Sequence, residues 1–115
     1  MTTLYGIPNC DTVKKAQKWL ITNNITYTFH DYRKEGLDEA LLTVFLKNLA
    51  WTDLLNKRST SFRALSAEQK ESLSEATAIP LFIEFPTLIK RPLLISNNTP
   101  ILGFKAETYQ AFFAI

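Results

Sequence analysis

The chain is poor in the residues that most often build redox and metal centres. Among its 115 residues it has one cysteine and one histidine. A lone cysteine excludes an intramolecular disulfide and any metal site built on several thiolates. No apolar run approaches the roughly 18 residues of a membrane-spanning helix. The first residues, Met1-Thr2-Thr3-Leu4, lack the basic and apolar regions of a signal peptide. The expected location is therefore cytoplasmic, where a single thiol stays reduced and open to exchange with an external thiol. The formal net charge of +2 is too small to argue for nucleic-acid binding. No repeat, low-complexity stretch or linker interrupts the chain.

What is present reads as one soluble domain of ordinary composition, 46% hydrophobic and 21% charged. Residues 2–7 predict a short buried strand. From Asp11 to about Asn23 the apolar positions Val13, Ala16 and Leu20 recur at helical spacing, and Asn23-Asn24 is a stop. Ile25 to Tyr32 is rich in β-branched and aromatic residues and predicts a second strand. A strand–helix–strand unit of this length implies parallel pairing with a right-handed crossover.

The middle of the chain is helical in pattern. Asp38 is a good N-cap for a helix carrying Leu41, Leu42, Phe45, Leu46 and Leu49. A turn of helix follows at Trp51 to Leu55. Ser66-Ala67-Glu68-Gln69 has the form of a capping box and opens a helix to about Glu75. Pro80 is expected in the first turn of another short helix that ends before Pro86. Then Pro92–Ser96 and Ile101–Phe104 flank a hairpin signal, Asn97-Asn98-Thr99-Pro100. A last helix carries Tyr109, Phe112 and Phe113. The order is βαβ, a helical block at about 36–90, then ββα. This is the α/β arrangement of a thioredoxin-like fold: a four-stranded mixed sheet with a helical insertion, in one domain over residues 1–115.

The lone sulfur falls at the most reactive place in that pattern. Cys10 lies where the first strand passes through Pro8-Asn9 into the first helix. Free N–H groups and the positive end of the helix dipole favour thiolate over thiol there. Asn9, Asp11 and Thr12 give it polar neighbours. The alternative is a small buried hydrophobe. Asp11 by itself disfavours the thiolate, unless it turns back to cap the helix. Residue 13 is valine, so no Cys-x-x-Cys pair exists, and a disulfide cycle needs a second thiol from outside.

Three basic residues are candidates for holding an anion near that sulfur. Lys14 follows Cys10 by four residues on the same helix face; its alternative is a solvated charge. Arg58 stands in Lys57-Arg58-Ser59-Thr60, among small hydroxyl residues. Arg91 precedes Pro92 at the start of a strand, where a proline can hold a cis peptide and restricts its predecessor. A guanidinium suits bidentate binding of carboxylates and oxyanions. His30, beside Asp31 on an alternating strand, is given no catalytic role.

Four segments in order carry a resemblance: Tyr5–Ala16 with Pro8-Asn9-Cys10-Asp11, Phe29–Arg33, Asn56–Thr60, and Ile89–Leu93. Together they resemble the arsenate reductase (ArsC)/Spx family over essentially the whole chain, nearest to its YffB-like branch. The resemblance implies Cys10 as nucleophile. Arg91, Arg58 and Lys14 would bind the substrate or its anionic groups, with Asn9, Thr12 and Pro92 in support. No metal and no bound cofactor are expected. Of the three arginines that hold arsenate in glutaredoxin-coupled arsenate reductases, Arg91 carries over. The others fall at Asn56, with Arg58 two residues on, and near Phe104, beside Lys105.

The YffB-like branch implies a glutathione-dependent thiol reductase. Glutathione or a glutaredoxin would resolve the Cys10 adduct, acting on a small-molecule or disulfide substrate. Two alternatives stay open. One is a glutaredoxin-coupled arsenate reductase. The other is an Spx-like regulator that binds RNA polymerase without catalysis, although the redox-sensing Spx proteins carry a Cys-x-x-Cys pair and this chain has Val13.

Overall fold

A computed structural model describes residues 1–115. The chain divides into two compact units. One holds Met1–Glu35 with Arg91–Ile115, and the other holds Gly36–Lys90. No helix is long and apolar enough to cross a membrane.

The first unit is built on a four-stranded sheet with the order β2-β1-β3-β4. Strand β1 (Thr2–Gly6) continues into helix α1 (Asp11–Thr22) and then strand β2 (Thr28–Asp31). β1 and β2 pair in parallel, with Leu4 opposite Phe29. β3 (Leu93–Ser96) and β4 (Thr99–Leu102) complete the sheet with antiparallel pairings. Asn97 and Asn98 both have positive φ, 50° and 66°. Two such residues make the tight hairpin turn whose twist matches the strands, and asparagine tolerates that region. Thr99 and Pro100 therefore belong to β4 and not to the turn. Pro100 is accepted because β4 is an edge strand.

Helix α8 (Ala106–Phe113) packs on the same sheet face as α1. Val13, Ala16 and Leu20 of α1, Tyr109 of α8, and the cross-strand pair Leu4 and Leu94 form a fully buried cluster. The Tyr109 ring meets the Trp19 ring edge-on at 5.5 Å and the Phe104 ring at 4.8 Å. The second strand is shorter than its composition suggests. Residues 25–27 stay outside it, and Tyr32 opens a single helical turn, α2 (Tyr32–Glu35). The Asp31 carboxylate accepts the Arg33 N–H at 2.9 Å, and Glu35 accepts the Asp31 N–H at 3.0 Å. These side chains satisfy the backbone where the ladder would otherwise continue.

The second unit is helical throughout. Asp38 caps α3 (Glu39–Phe45), accepting the Leu41 N–H at 2.9 Å. The helix ends at Phe45, so Leu46 and Leu49 lie beyond it. α4 (Trp51–Leu54) follows. A further helix, α5 (Thr60–Ala64), was not apparent in the sequence pattern; Ser59 caps it. The Ser66 and Gln69 capping box opens α6 (Ala67–Glu71), with both reciprocal bonds made. That helix stops four residues short of Glu75, because the Ser72 hydroxyl turns back onto the Glu68 carbonyl at 2.7 Å and Ser74 starts a new helix. The new helix, α7 (Glu75–Glu84), contains Pro80 in its interior and not in its first turn. Burial of Ala78 and Phe82 offsets the missing N–H. The helix packs against α3 and the short 3-10 turn Pro86–Leu88.

Candidate active site

The site begins with a close approach. A Cβ on Gly6 would lie 2.9 Å from Val13 Cγ2. Only glycine lets α1 sit this close to the end of β1, and that contact fixes where the helix starts. The chain turns through Pro8-Asn9, with the Cys10 N–H bonded to the Ile7 carbonyl at 3.3 Å. Cys10 is the N-cap of α1, in extended conformation, with its carbonyl accepting the first helical N–H from Lys14 at 3.0 Å. Its side chain is partly buried and packs against the Leu4–Tyr109 cluster.

The electrostatics of the sulfur are a contest. Burial pushes the Cys10 thiol up. The Val13 N–H, the Arg91 side chain, the Thr12 N–H and the charge of Arg91 together pull it below the ordinary value. As a cap the sulfur forms no hydrogen bond of full geometry. The Val13 and Thr12 N–H groups nonetheless act on it as donors, the partial positive charge of a helix start favouring an anion.

Arg91 reaches this position through the chain's return to the sheet. The Arg91–Pro92 peptide is cis. Pro92 is buried, and its carbonyl accepts the Gly103 N–H at 2.8 Å, which ties the Gly103-Phe104-Lys105 loop to the start of β3. The structure thus brings together Cys10, Thr12 and Arg91, with Pro92 beside them. It adds the Val13 N–H, which the side-chain pattern conceals. Asn9 is exposed in the turn before Cys10. Lys14 is exposed on α1; its backbone N–H binds the Cys10 carbonyl, while its ammonium is not among the groups that lower the thiol.

Arg58 belongs to the helical unit. It is exposed in the turn Asn56–Ser59, where the Asn56 side-chain oxygen accepts its N–H at 3.1 Å. That turn is anchored by a bridge between Leu55 and Ile89, with the Asn56 N–H on the Leu88 carbonyl and the Lys90 N–H on the Leu54 carbonyl. The Asn56 side chain is thereby a turn former. His30 lies on β2, its Nδ1 4.0 Å from Glu35 Oε2 and its ring 5.1 Å from that of Tyr5.

A thiol favoured as an anion, a helix start and an arginine thus meet at one end of the sheet, on a thioredoxin-like scaffold. Residues 5–112 match the ArsC family, and the chain belongs to that family. It is 49% identical over 114 residues to an uncharacterised protein of Haemophilus influenzae, covering 99% of this chain and all of that one. A solved structure of a YffB protein superposes with a TM-score of 0.90 at 41% identity, covering 96% and 97% of the two chains. An arsenate reductase (ArsC) related protein of Brucella melitensis gives a TM-score of 0.79 at 45% identity, covering 99% and 95%. The global transcriptional regulator Spx of Streptococcus mutans is 29% identical, over 97% of this chain and 82% of its own.

Proposed function

We propose that this chain is a thiol oxidoreductase in which the Cys10 thiolate attacks a disulfide or oxidised small molecule. The observation that carries the reading is the convergence of Arg91 and the Thr12 and Val13 N–H groups on one sulfur. In the first step the thiolate attacks one sulfur of a disulfide. A new bond forms at Cys10, and the other half leaves as a thiolate with the electron pair. The chain has no second cysteine, so an external thiol must attack the adduct and release Cys10. Glutathione fits this role, since it brings the missing thiol and two carboxylates for cationic side chains such as Arg91. A glutaredoxin can supply the same thiol chemistry. A reducing compartment such as the cytoplasm keeps Cys10 ready.

The test is mass spectrometry of the protein after exposure to oxidised glutathione. A single Cys10 adduct, removed by glutathione or glutaredoxin, is expected. Cys10 left unmodified under conditions that oxidise free cysteine would refute the reading and turn attention to the regulator named among the relatives, with polymerase co-purification as its test. Arsenate-dependent NADPH oxidation with a full glutathione system tests the reaction named for the Brucella relative. Asn56 is committed to its turn, and Phe104 to the ring cluster around Tyr109, so no turnover above background is expected.

A further inference from the structure

The outer face of α1 carries mostly positive charge beside the sulfur. Val13, Ala16 and Leu20 bury the inner face of the helix. At 3.6 residues per turn, Lys14, Lys15 and Lys18 share an arc of about 100° on the opposite side, and all three are exposed. Asp11 is the acidic residue on that face, in the first turn. None of these four side chains has an ion-pair partner. The sheet unit as a whole holds seven Lys and Arg against four Asp and Glu. Two of those acids, Asp31 and Glu35, are occupied with backbone N–H groups at the end of β2.

A solvated lysine face is common on helices; this one is set apart by where it begins. The Lys14 N–H donates to the Cys10 carbonyl at 3.0 Å, so the row starts one turn from the sulfur and Lys18 lies one turn further. Cα–Cβ bonds tilt toward a helix N-terminus, which here is the Cys10 end. The chain has one thiol, so a Cys10 adduct is opened by a thiol from outside. The incoming thiolate attacks the outer sulfur, a new S–S bond forms there, and Cys10 leaves as thiolate with the electron pair. A protein that delivers this thiol must lie over the start of α1. Glutathione, with two carboxylates and one ammonium, brings a single net negative charge, too little for three unpaired lysines. A protein with several carboxylates beside its cysteine complements them.

We propose that the Lys14, Lys15 and Lys18 face of α1 is the docking surface for a thiol protein with an acidic patch beside its cysteine, the reductant of the Cys10 adduct. The proposal rests on Cys10 as the reacting sulfur and makes the resolving thiol a protein's. Its test starts from the full-length protein carrying 2-mercaptoethanol on Cys10, an uncharged adduct made with 2-hydroxyethyl disulfide. Two thiol peptides of about ten residues, long enough to lie along the row, open it. Both begin with cysteine, and one is rich in glutamate where the other has glutamine. Loss of the adduct is followed by mass spectrometry. Each rate is divided by that peptide's rate with free 2-hydroxyethyl disulfide, which cancels any difference between the two thiols.

In water a charge pair about 6 Å apart is worth about threefold. Three lysines should favour the acidic peptide about thirtyfold at an ionic strength of about 10 mM, where the screening length is about 30 Å. At about 1 M salt it shrinks to about 3 Å, and the preference should vanish. Lys15→Gln with Lys18→Gln should leave about threefold at low salt. Lys47→Gln with Arg63→Gln, an equal loss of charge from exposed residues of the helical unit, should leave the parent's preference intact. A preference that survives the Lys15 and Lys18 exchanges overturns the proposal. So does one lost equally with Lys47 and Arg63, because net charge alone would then account for it. Binding to vesicles of phosphatidylcholine and phosphatidylglycerol in equal parts that depends on Lys15 and Lys18, with no preference between the peptides, would replace it with a membrane surface. If the adduct forms and both peptides open it alike, only this inference falls. If Cys10 forms no adduct, the thiol oxidoreductase reading falls with it.

Discussion

Gly6→Ala is the sharpest test of how the fold sets the site. The added methyl would stand 2.9 Å from Val13 Cγ2, whereas carbon atoms rest at about 3.5–4.0 Å. Relief needs a separation of roughly 0.6–1 Å between the end of β1 and the first turn of α1. Val13 cannot simply turn away, because it is fully buried among Leu4, Ala16 and Tyr109 and its β-branched side chain is stiff at χ1. Overpacking of this kind costs about 1–3 kcal/mol. The same displacement moves the Val13 and Thr12 N–H groups relative to Cys10. Gly6→Ala should therefore lose stability in urea and also alkylate Cys10 more slowly below pH 8. Gly6→Ala with Val13→Ala removes the collision, and the pair should be less destabilised than the sum of the single changes by about 1–2 kcal/mol. Additive losses, or a Gly6→Ala protein as stable and as reactive as the parent, would refute this account of the helix start.

Arg91→Gln removes the guanidinium and leaves the burial that raises the thiol. The alkylation midpoint should move to higher pH, with the rates of variant and parent converging in strong alkali; an unmoved midpoint would contradict the placement of Arg91. The sign carries over to stability. A thiol lowered in the folded state contributes stability above its unfolded value near pH 8.5, and that contribution is lost as pH falls through the folded value. Arg91→Gln should narrow that window in urea melts taken across pH. Pro80→Ala restores an N–H inside α7. It should raise stability by about 2 kcal/mol, the helix-interior penalty less the entropy that proline removes from the unfolded chain. A loss would mean that the exposed ring serves a purpose beyond the helix.

Much of this arrangement was legible in the sequence where local chemistry and long-range packing agree. β1, α1 and α8 carry apolar positions at the right period, and all three bury that face in one cluster. Asp38 and Ser66 cap where their spacing says. The divergences fall where a short-range competitor acts. Ser72 and Ser74 offer the backbone other partners and split one helical run into two. Asp31 and Glu35 turn Tyr32 out of the strand its composition favours. Pro80 survives inside a helix because Ala78 and Phe82 are buried on it, which no local rule reveals. For the site, the Cys10 helix start and Arg91-Pro92 were visible as motifs. The Val13 N–H was not, since it belongs to the backbone.

Val13 is also the residue on which the placement of the single sulfur turns. Its position is the one a second cysteine would take in a Cys-x-x-Cys pair, and here its backbone already serves the thiolate. Its side chain meanwhile fills the layer between β1 and α1 at a spacing that Gly6 alone permits. A smaller thiol at 13 would open space against Gly6 in a fully buried cluster, and underpacking there loosens the same contact that sets the helix start. Val13→Cys should thus produce two opposed effects: a second thiol three residues from Cys10, and a less firmly placed Cys10. If the packing argument is right, the reduced Val13→Cys protein should be less stable than the parent in urea and its Cys10 less reactive at pH 7. Equal stability and equal Cys10 reactivity would show that Val13 is not what fixes the sulfur.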